Sequence, residues 1–199
     1  IIGNIQLDYK LHFLPDLHVL VNLGIDNASG SGNDNTDSVA ATNYKTAGYF
    51  AHYEQKKKNT LADVSLFYTK DLKGINSKFD LLVGHSYQDF VTEVKNFAAF
   101  GQDGDTIPNS TPIYATDKPE YRLEYYFTRL NFTVANKYLL TASLRRDASS
   151  KFSKENRVGY FPSFAAAWKL KEEFFKGVNF INDLKLRLGW GITGQQDGI

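Results

Sequence analysis

The sequence predicts an all-β fold, an antiparallel sheet of the kind that forms the wall of a transmembrane β-barrel. The clearest observation is the stretch 183–193, in which every even position is apolar: Leu184, Leu186, Leu188, Trp190 and Ile192. Successive side chains of a strand point to opposite faces, so this stretch has one apolar face and one polar face. The same alternation recurs along the chain, in segments near the length that crosses a bilayer as a tilted strand.

Composition agrees with this class and excludes others. The chain has 199 residues, and its 23 Lys and Arg nearly balance its 22 Asp and Glu, so nothing indicates a nucleic-acid partner. No run approaches the roughly 18 apolar residues of a transmembrane helix, but a barrel strand needs only alternate apolar residues. The 12 Tyr and 15 Phe are typical of interfacial aromatic girdles, although a β-sandwich core is also rich in aromatics.

No feature of the sequence indicates an enzyme, a metal site or a cofactor. The chain has no cysteine, which excludes disulfides and thiolate ligands. Its four histidines lack ligand spacing, and Asp103-Gly104-Asp105 lacks the rest of a calcium loop. Methionine and a signal peptide are also missing, so we expect a fragment of a longer polypeptide.

Eight segments have strand alternation. We expect membrane strands at 4–13, 17–26, 60–70, 76–89, 121–134, 138–147, 159–170 and 183–193. The first two form a hairpin around Leu14-Pro15-Asp16, where proline presets φ for a reversal. The segment 27–42 is rich in Asn, Ser, Gly and Asp and is therefore expected to be a loop.

The connections fall into two classes by length. Outer-membrane barrels have short periplasmic turns and longer extracellular loops. We therefore place 14–16, 71–75, 135–137 and 171–182 in the periplasm. The loops at 27–59, 90–120 and 148–158 are then extracellular. This assignment requires that 43–58 adds no membrane crossing, and we expect it to be an extracellular extension with some strand character.

Several motifs resemble one known family. Residues 137–152 read KYLLTASLRRDASSKF and resemble the KYLLTASLRRDGSSRF stretch of the SusC/RagA family, the TonB-dependent transporters of the Bacteroidetes outer membrane. Further stretches fit in order: GYFPS at 159–163 with Ala167-Trp168, LKLR at 184–187 with GITGQ at 191–195, LPDL at 14–17 and VGHSYQ at 83–88. One departure is Ala148, where the family usually has glycine. A Cβ there restricts positive φ.

The resemblance implies a fold and a set of partners. It implies a barrel of about 22 strands, plugged by an N-terminal domain that this chain lacks, with residues 1–199 supplying about eight of its strands. It also implies residence in the bacterial outer membrane, contact with outer-membrane lipid, and uptake of glycans or peptides. The expected partners are the rest of the barrel and its plug, the TonB complex and a SusD-like surface lipoprotein.

Five residues around one loop are candidates for substrate binding: Arg145, Arg146, Asp147, Arg157 and Tyr160. Arginine offers a fixed fork of donors, which suits an anionic or hydroxyl-rich substrate, and Tyr160 is able to stack on a sugar. The alternative, which we favour, is an ion-pair network bracing the rim, with Tyr160 in a membrane-interface belt.

Two other folds fit the same alternation. Eight strands are enough to close a small pore or anchor barrel. In a soluble carbohydrate-binding β-sandwich, the alternate apolar residues would face a partner sheet. A lone sector of a larger barrel leaves two open strand edges, so we expect this chain to aggregate when expressed alone.

Overall fold

The computed structural model describes residues 1–177 and 180–194, and this part of the chain is almost entirely β-structure. The strands are β1 (Ile2–Lys10), β2 (Leu17–Thr36), β3 (Tyr49–Leu72), β4 (Ser77–Lys95), β5 (Thr116–Asp117), β6 (Glu120–Val134), β7 (Tyr138–Ser149), β8 (Val158–Lys169) and β9 (Lys185–Gly191). Short 3₁₀ turns occupy Tyr44–Thr46 and Lys73–Ile75, and one helix, α1, spans Lys171–Phe174. No described helix is both long and apolar enough to span a bilayer.

The strands form one sheet in chain order. The hydrogen-bonded order is β1-β2-β3-β4-β6-β7-β8-β9, and the two-residue β5 pairs with β4. The prediction of an antiparallel all-β sheet with eight long strands is confirmed. Because β1 and β9 lie at opposite ends of this order, the sheet is open, and the self-contained eight-stranded barrel is not what the chain forms.

Three strands are longer than their alternation predicts. β2 continues to Thr36 through much of the expected loop 27–42, and β4 continues to Lys95. β3 runs without a break from Tyr49, so the ambiguous segment 43–58 adds no separate strand. Alternation marks only the part of a strand with one apolar face, whereas backbone pairing continues through polar residues. The expected connection at 171–182 and motif at 191–195 include residues 178, 179 and 195, which lie outside the described residues.

By its internal contacts the chain divides into two compact units. The wall unit comprises Asn4–Leu23, Leu61–Gln88 and Arg122–Ile199. The loop unit comprises Ile1–Gly3, Gly24–Thr60 and Asp89–Tyr121.

The loop unit is stabilised by backbone pairing and by the ion pairs of Glu54 with Lys95 and Lys56. Phe50 and Phe100 exchange backbone hydrogen bonds of 2.7 and 2.8 Å. Lys95 Nζ donates to both carboxylate oxygens of Glu54, at 3.0 and 2.9 Å. These hydrogen bonds, with Lys95 as the largest cause, lower the pKa of the Glu54 carboxyl.

Short turns join the strands of the wall unit at one end. Lys137 N donates to Val134 O at 3.0 Å, and Ala135 and Asn136 between them have φ of 50° and 56°. Two consecutive positive φ values are what a type I′ hairpin turn requires. Lys169 N then donates to Lys137 O at 2.9 Å, which fixes this turn beside the end of β8.

The register of β6–β9 separates the side chains into two faces. On one face, which we name the apolar face, Leu140 lies opposite Ala166, and Ala166 lies opposite Leu188. On the other, the polar face, Asn131 lies opposite Thr141, and Ser143 Oγ hydrogen-bonds Ser163 Oγ at 2.7 Å. The alternation read from the sequence is therefore the alternation of the sheet.

The apolar face is uncovered. Leu188 is 67% exposed, Trp190 63% and Phe164 50%. Among the described residues the only buried hydrophobic side chain is Ala99, which belongs to the loop unit. A β-sandwich would bury its alternate apolar residues against a second sheet. The soluble-sandwich alternative is therefore wrong for this chain.

Candidate functional site

The polar face of the wall unit carries a concavity of about 530 Å³. β3 contributes Leu61, Asp63 and Ser65 at alternate positions, whereas β2 contributes the consecutive residues 20–22. Polar side chains two positions apart on one strand therefore meet in this concavity. The side chains include Gln6, Asn22, Asp63, Ser65, Ser86, Gln88, Tyr125, Phe127 and Arg145. Amide, hydroxyl, carboxylate and guanidinium groups thus share one surface with two aromatic rings.

Asp63 organises one side of this concavity. One carboxylate oxygen accepts from Asn22 Nδ2 at 3.2 Å, and the other accepts from the Ser86 hydroxyl. Ser86 is 7% exposed. The carbonyl oxygen of the Asn22 amide is buried and has no protein donor among the described residues. A buried acceptor of this kind is satisfied by a donor from outside the chain or by water.

Arg145 organises the other side. Its Nε donates to Asp147 Oδ1 at 2.6 Å, and its guanidinium lies 4.5 Å from the centre of the Tyr125 ring. The register explains both contacts, because Tyr125 lies opposite Asp147, and Phe127 lies opposite Arg145. The Arg145 side chain is 52% exposed, so the remaining guanidinium donors face the concavity and solvent.

Arg157 lies on the same face. Its Nε donates to the Phe152 carbonyl at 3.1 Å, and it lines a hollow of about 180 Å³ together with Asp147 and Phe161. Three of the five candidate residues, Arg145, Asp147 and Arg157, are therefore brought together on the polar face.

Arg146 and Tyr160 lie on the opposite, apolar face. Arg146 on β7 lies directly opposite Tyr160 on β8 and directly opposite Tyr126 on β6. The Arg146 guanidinium is 5.5 Å from the centre of the Tyr126 ring. Odd and even numbering already carried this information, since adjacent strand residues point to opposite faces. The cluster of five is thus two groups.

Aromatic residues bound the apolar face at both ends. At the short-turn end, Tyr138 and Trp168 are stacked with ring centres 5.9 Å apart, and Phe174 contacts Trp168. Glu173 Oε2 accepts from Trp168 Nε1 and from the Tyr138 hydroxyl, each at 2.8 Å. These two hydrogen bonds, with Trp168 as the larger cause, lower the pKa of the Glu173 carboxyl.

At the other end of the same strands lie Tyr126, Arg146 and Tyr160, with His85 beside Tyr126. Tyr138 and Arg146 are eight positions apart on β7, which is about 27 Å along the strand at roughly 3.4 Å per residue. With a barrel tilt of about 40°, the two belts are about 20 Å apart, close to the apolar band of outer-membrane barrels. Between them this face presents Leu140, Ala142, Leu144, Pro162, Phe164 and Ala166.

Comparison with known proteins agrees with this geometry. A family model described as "TonB dependent receptor-like, beta-barrel" matches residues 3–195. The chain is 41% identical over 203 residues to the TonB-dependent receptor SusC of Bacteroides thetaiotaomicron, an alignment that covers 98% of the chain and 20% of that relative. The chain belongs to this family. It is also 38% identical to the TonB-dependent receptor P26 of Formosa agariphila, over 62% of the chain and 13% of P26.

Solved structures show the same fold. The RagAB peptide importer in its open-open state matches with a TM-score of 0.73 at 20% identity, covering 96% of the chain and 21% of the matched one. A second RagAB peptide transporter structure matches with a TM-score of 0.67 at 19% identity, covering 88% of the chain and 20% of the matched one. The chain spans about a fifth of the length of the SusC receptor. It is thus a segment of a TonB-dependent receptor barrel, as the motifs predicted.

Two further features of this TonB-dependent receptor segment concern metal binding and the turn at Asp103–Asp105. Within the described residues, no group of three or more His, Asp or Glu side chains is arranged to hold a metal ion. Asp103 accepts from the Asp105 backbone N–H at 3.1 Å, which closes a turn. The curated relatives are named receptors, not enzymes.

Proposed function

We propose that this chain is a wall sector of a TonB-dependent outer-membrane transporter that imports nutrients. Its apolar face contacts lipid, and its polar face lines the lumen. The observation that carries this proposal is the uncovered apolar face bounded by two aromatic belts. Interfacial aromatics and an outward apolar band are characteristic of outer-membrane barrels.

The polar face supplies candidate substrate contacts. Arg145, Asp147 and Arg157 present charged groups, and Asn22 and Asp63 present an amide and a carboxylate. Such groups hydrogen-bond the hydroxyls of a glycan or the amides and carboxylates of a peptide. We propose that substrate passes along this face.

The relatives support a proposal for the substrate class and the partners. Because the chain is 41% identical to SusC and folds like the barrel of the RagAB peptide importer, we propose glycans or peptides as the transported class. We also propose a SusD-like lipoprotein as partner, with energy delivered through TonB. The plug and the remaining strands come from the rest of the parent polypeptide. The long connections lie outside the cell, and the short turns lie in the periplasm.

A labelling experiment on the full-length transporter tests the orientation of the two faces. Leu188 and Gly189 are adjacent on β9, and a Cβ added at Gly189 meets no atom within 4 Å. Leu188→Cys and Gly189→Cys are each labelled with a bimane fluorophore in vesicles that contain brominated acyl chains. We expect strong quenching at position 188 and little at 189. Equal quenching at both positions, or the reverse order, would contradict the proposal.

A further inference from the structure

A compact group of side chains lies on the apolar face at the end of β7 and β8 that carries the connection 150–157. We name it the rim cluster: His85, Glu124, Tyr126, Arg146 and Tyr160. The ring centres of His85 and Tyr126 are 4.4 Å apart. The Arg146 guanidinium also lies over the Tyr126 ring, 5.5 Å from its centre. Tyr126 is 47% exposed and Tyr160 60% exposed, so the cluster is open to whatever adjoins this face.

Arg146 has no hydrogen bond or ion pair among the described residues. The acid of the cluster is already engaged, because Glu124 Oε1 accepts from the Tyr126 hydroxyl at 3.0 Å and contacts His85 Nε2 at 3.1 Å. Arg145, the adjacent residue on the other face, is paired with Asp147. The Glu124 carboxylate interacts electrostatically with the Arg146 guanidinium but does not hydrogen-bond it. The planar fork of guanidinium donors therefore keeps its capacity to bind phosphate oxygens.

The neighbouring side chains favour a lipid as the source of such a phosphate. Directly along the strands from the pair Arg146–Tyr160 lie the apolar pairs Leu144–Pro162 and Ala142–Phe164 on the same face. Leu144 is 45% exposed and Phe164 50% exposed. A molecule with an anionic headgroup and acyl chains matches this arrangement. Its headgroup would contact the Arg146 guanidinium and the Tyr160 hydroxyl, and its acyl chains would contact the adjacent apolar pairs. A soluble anion would contact only the head position.

We propose that the rim cluster binds the phosphate-bearing headgroup of an outer-membrane lipid. The phosphate contacts the Arg146 guanidinium and the Tyr160 hydroxyl, and an acyl chain runs along Leu144 and Phe164. This inference rests on the proposed function, because it places the apolar face in lipid. It also assigns Arg146 and Tyr160 to lipid and leaves substrate contacts to the polar face.

The test uses the full-length transporter purified in an uncharged detergent. Binding of phosphorylated lipid A is measured by native mass spectrometry for the unaltered protein, Arg146→Gln, Arg146→Lys and Arg145→Gln. Arg145→Gln is the matched control, because it removes the same group from the adjacent position on the other face. We expect about tenfold weaker binding for Arg146→Gln, a smaller loss for Arg146→Lys, and no change for Arg145→Gln.

Dephosphorylated lipid A and inorganic phosphate distinguish the source of the ligand. We expect the dephosphorylated lipid to bind equally weakly to all four proteins, and inorganic phosphate at millimolar concentration not to displace phosphorylated lipid A. Equal binding to Arg146→Gln and Arg145→Gln, or displacement by inorganic phosphate, would overturn the inference. The bimane experiment reports separately on the orientation of the faces, so this inference is able to fail while the proposed function stands.

Discussion

Placing one arginine on either face of the sheet tests the orientation of the barrel wall quantitatively. Ala142 lies on the apolar face of β7, midway between the belt residues Tyr138 and Arg146. Four residues at roughly 3.4 Å per residue and a tilt of about 40° place it about 10 Å from each belt along the membrane normal. Ala165, opposite Thr141, lies at nearly the same level on the polar face of β8, and both alanines are exposed.

Arginine at the midplane of a barrel's lipid face destabilises by about 2–4 kcal/mol, and this falls to about 0–1 kcal/mol near the interface. Ala142→Arg should therefore lower the folded-to-unfolded ratio about 30- to 700-fold. Ala165→Arg, on the lumen side, should change the free energy of unfolding by no more than about 0.5 kcal/mol. Val158→Arg, on the apolar face beyond Tyr160, should show the small interfacial effect.

The assay is urea unfolding of the full-length protein in lipid vesicles, read by tryptophan fluorescence, together with the amount of assembled protein in outer membranes. The order of stability should be Ala165→Arg above or equal to Val158→Arg, and both above Ala142→Arg. If Ala142→Arg were as stable as Ala165→Arg, or if the loss at Val158 exceeded that at Ala142, the apolar face would not contact lipid and the argument would fail.

Two other predictions follow from polar contacts. Asp63→Ala removes the acceptor of both Asn22 and Ser86 and should lower the free energy of unfolding by about 1–3 kcal/mol in the same assay, whereas Ser86→Ala should lose less because Asp63 keeps one donor. An effect of Asp63→Ala no larger than that of Ser86→Ala would contradict this. Because the pKa of Glu54 is lowered chiefly by Lys95, the folded state binds its proton less tightly than the unfolded chain does. The contact should therefore contribute stability above the ordinary pKa of 4.5 and lose it as pH falls further. Hydrogen-exchange protection of residues 49–60, measured relative to the intrinsic exchange rate at each pH, should therefore decrease below that pH. Glu54→Gln should abolish this loss of protection, and its persistence in the variant would refute the assignment.

Much of the sheet was predictable because alternation is a local property. The segments 121–134, 138–147, 159–170 and 183–193 match β6, β7, β8 and β9 to within a few residues. The turn at 135–137 was also predictable. Each of these depends only on neighbouring residues, since a strand exposes alternate side chains to opposite faces whatever its partners are.

The outer parts of the long strands were not predictable in this way. Residues 27–36 of β2 are polar and glycine-rich, as loops usually are, yet they are paired in the sheet. Their strand conformation depends on backbone hydrogen bonds to a neighbouring strand, which leave no hydrophobic pattern in the sequence.

The sequence by itself determined the fold class, the two-faced strands and the family motifs. Only the tertiary structure decided which distant side chains meet: Asp63 between Asn22 and Ser86, Arg145 over Tyr125, and Arg146 beside Tyr160. The physical reason is that strand register is set by pairing between segments far apart in the chain. Parity assigns a residue to a face and so separates Arg145 and Asp147 from Arg146 and Tyr160, whereas register decides which side chains of the neighbouring strands each of them meets.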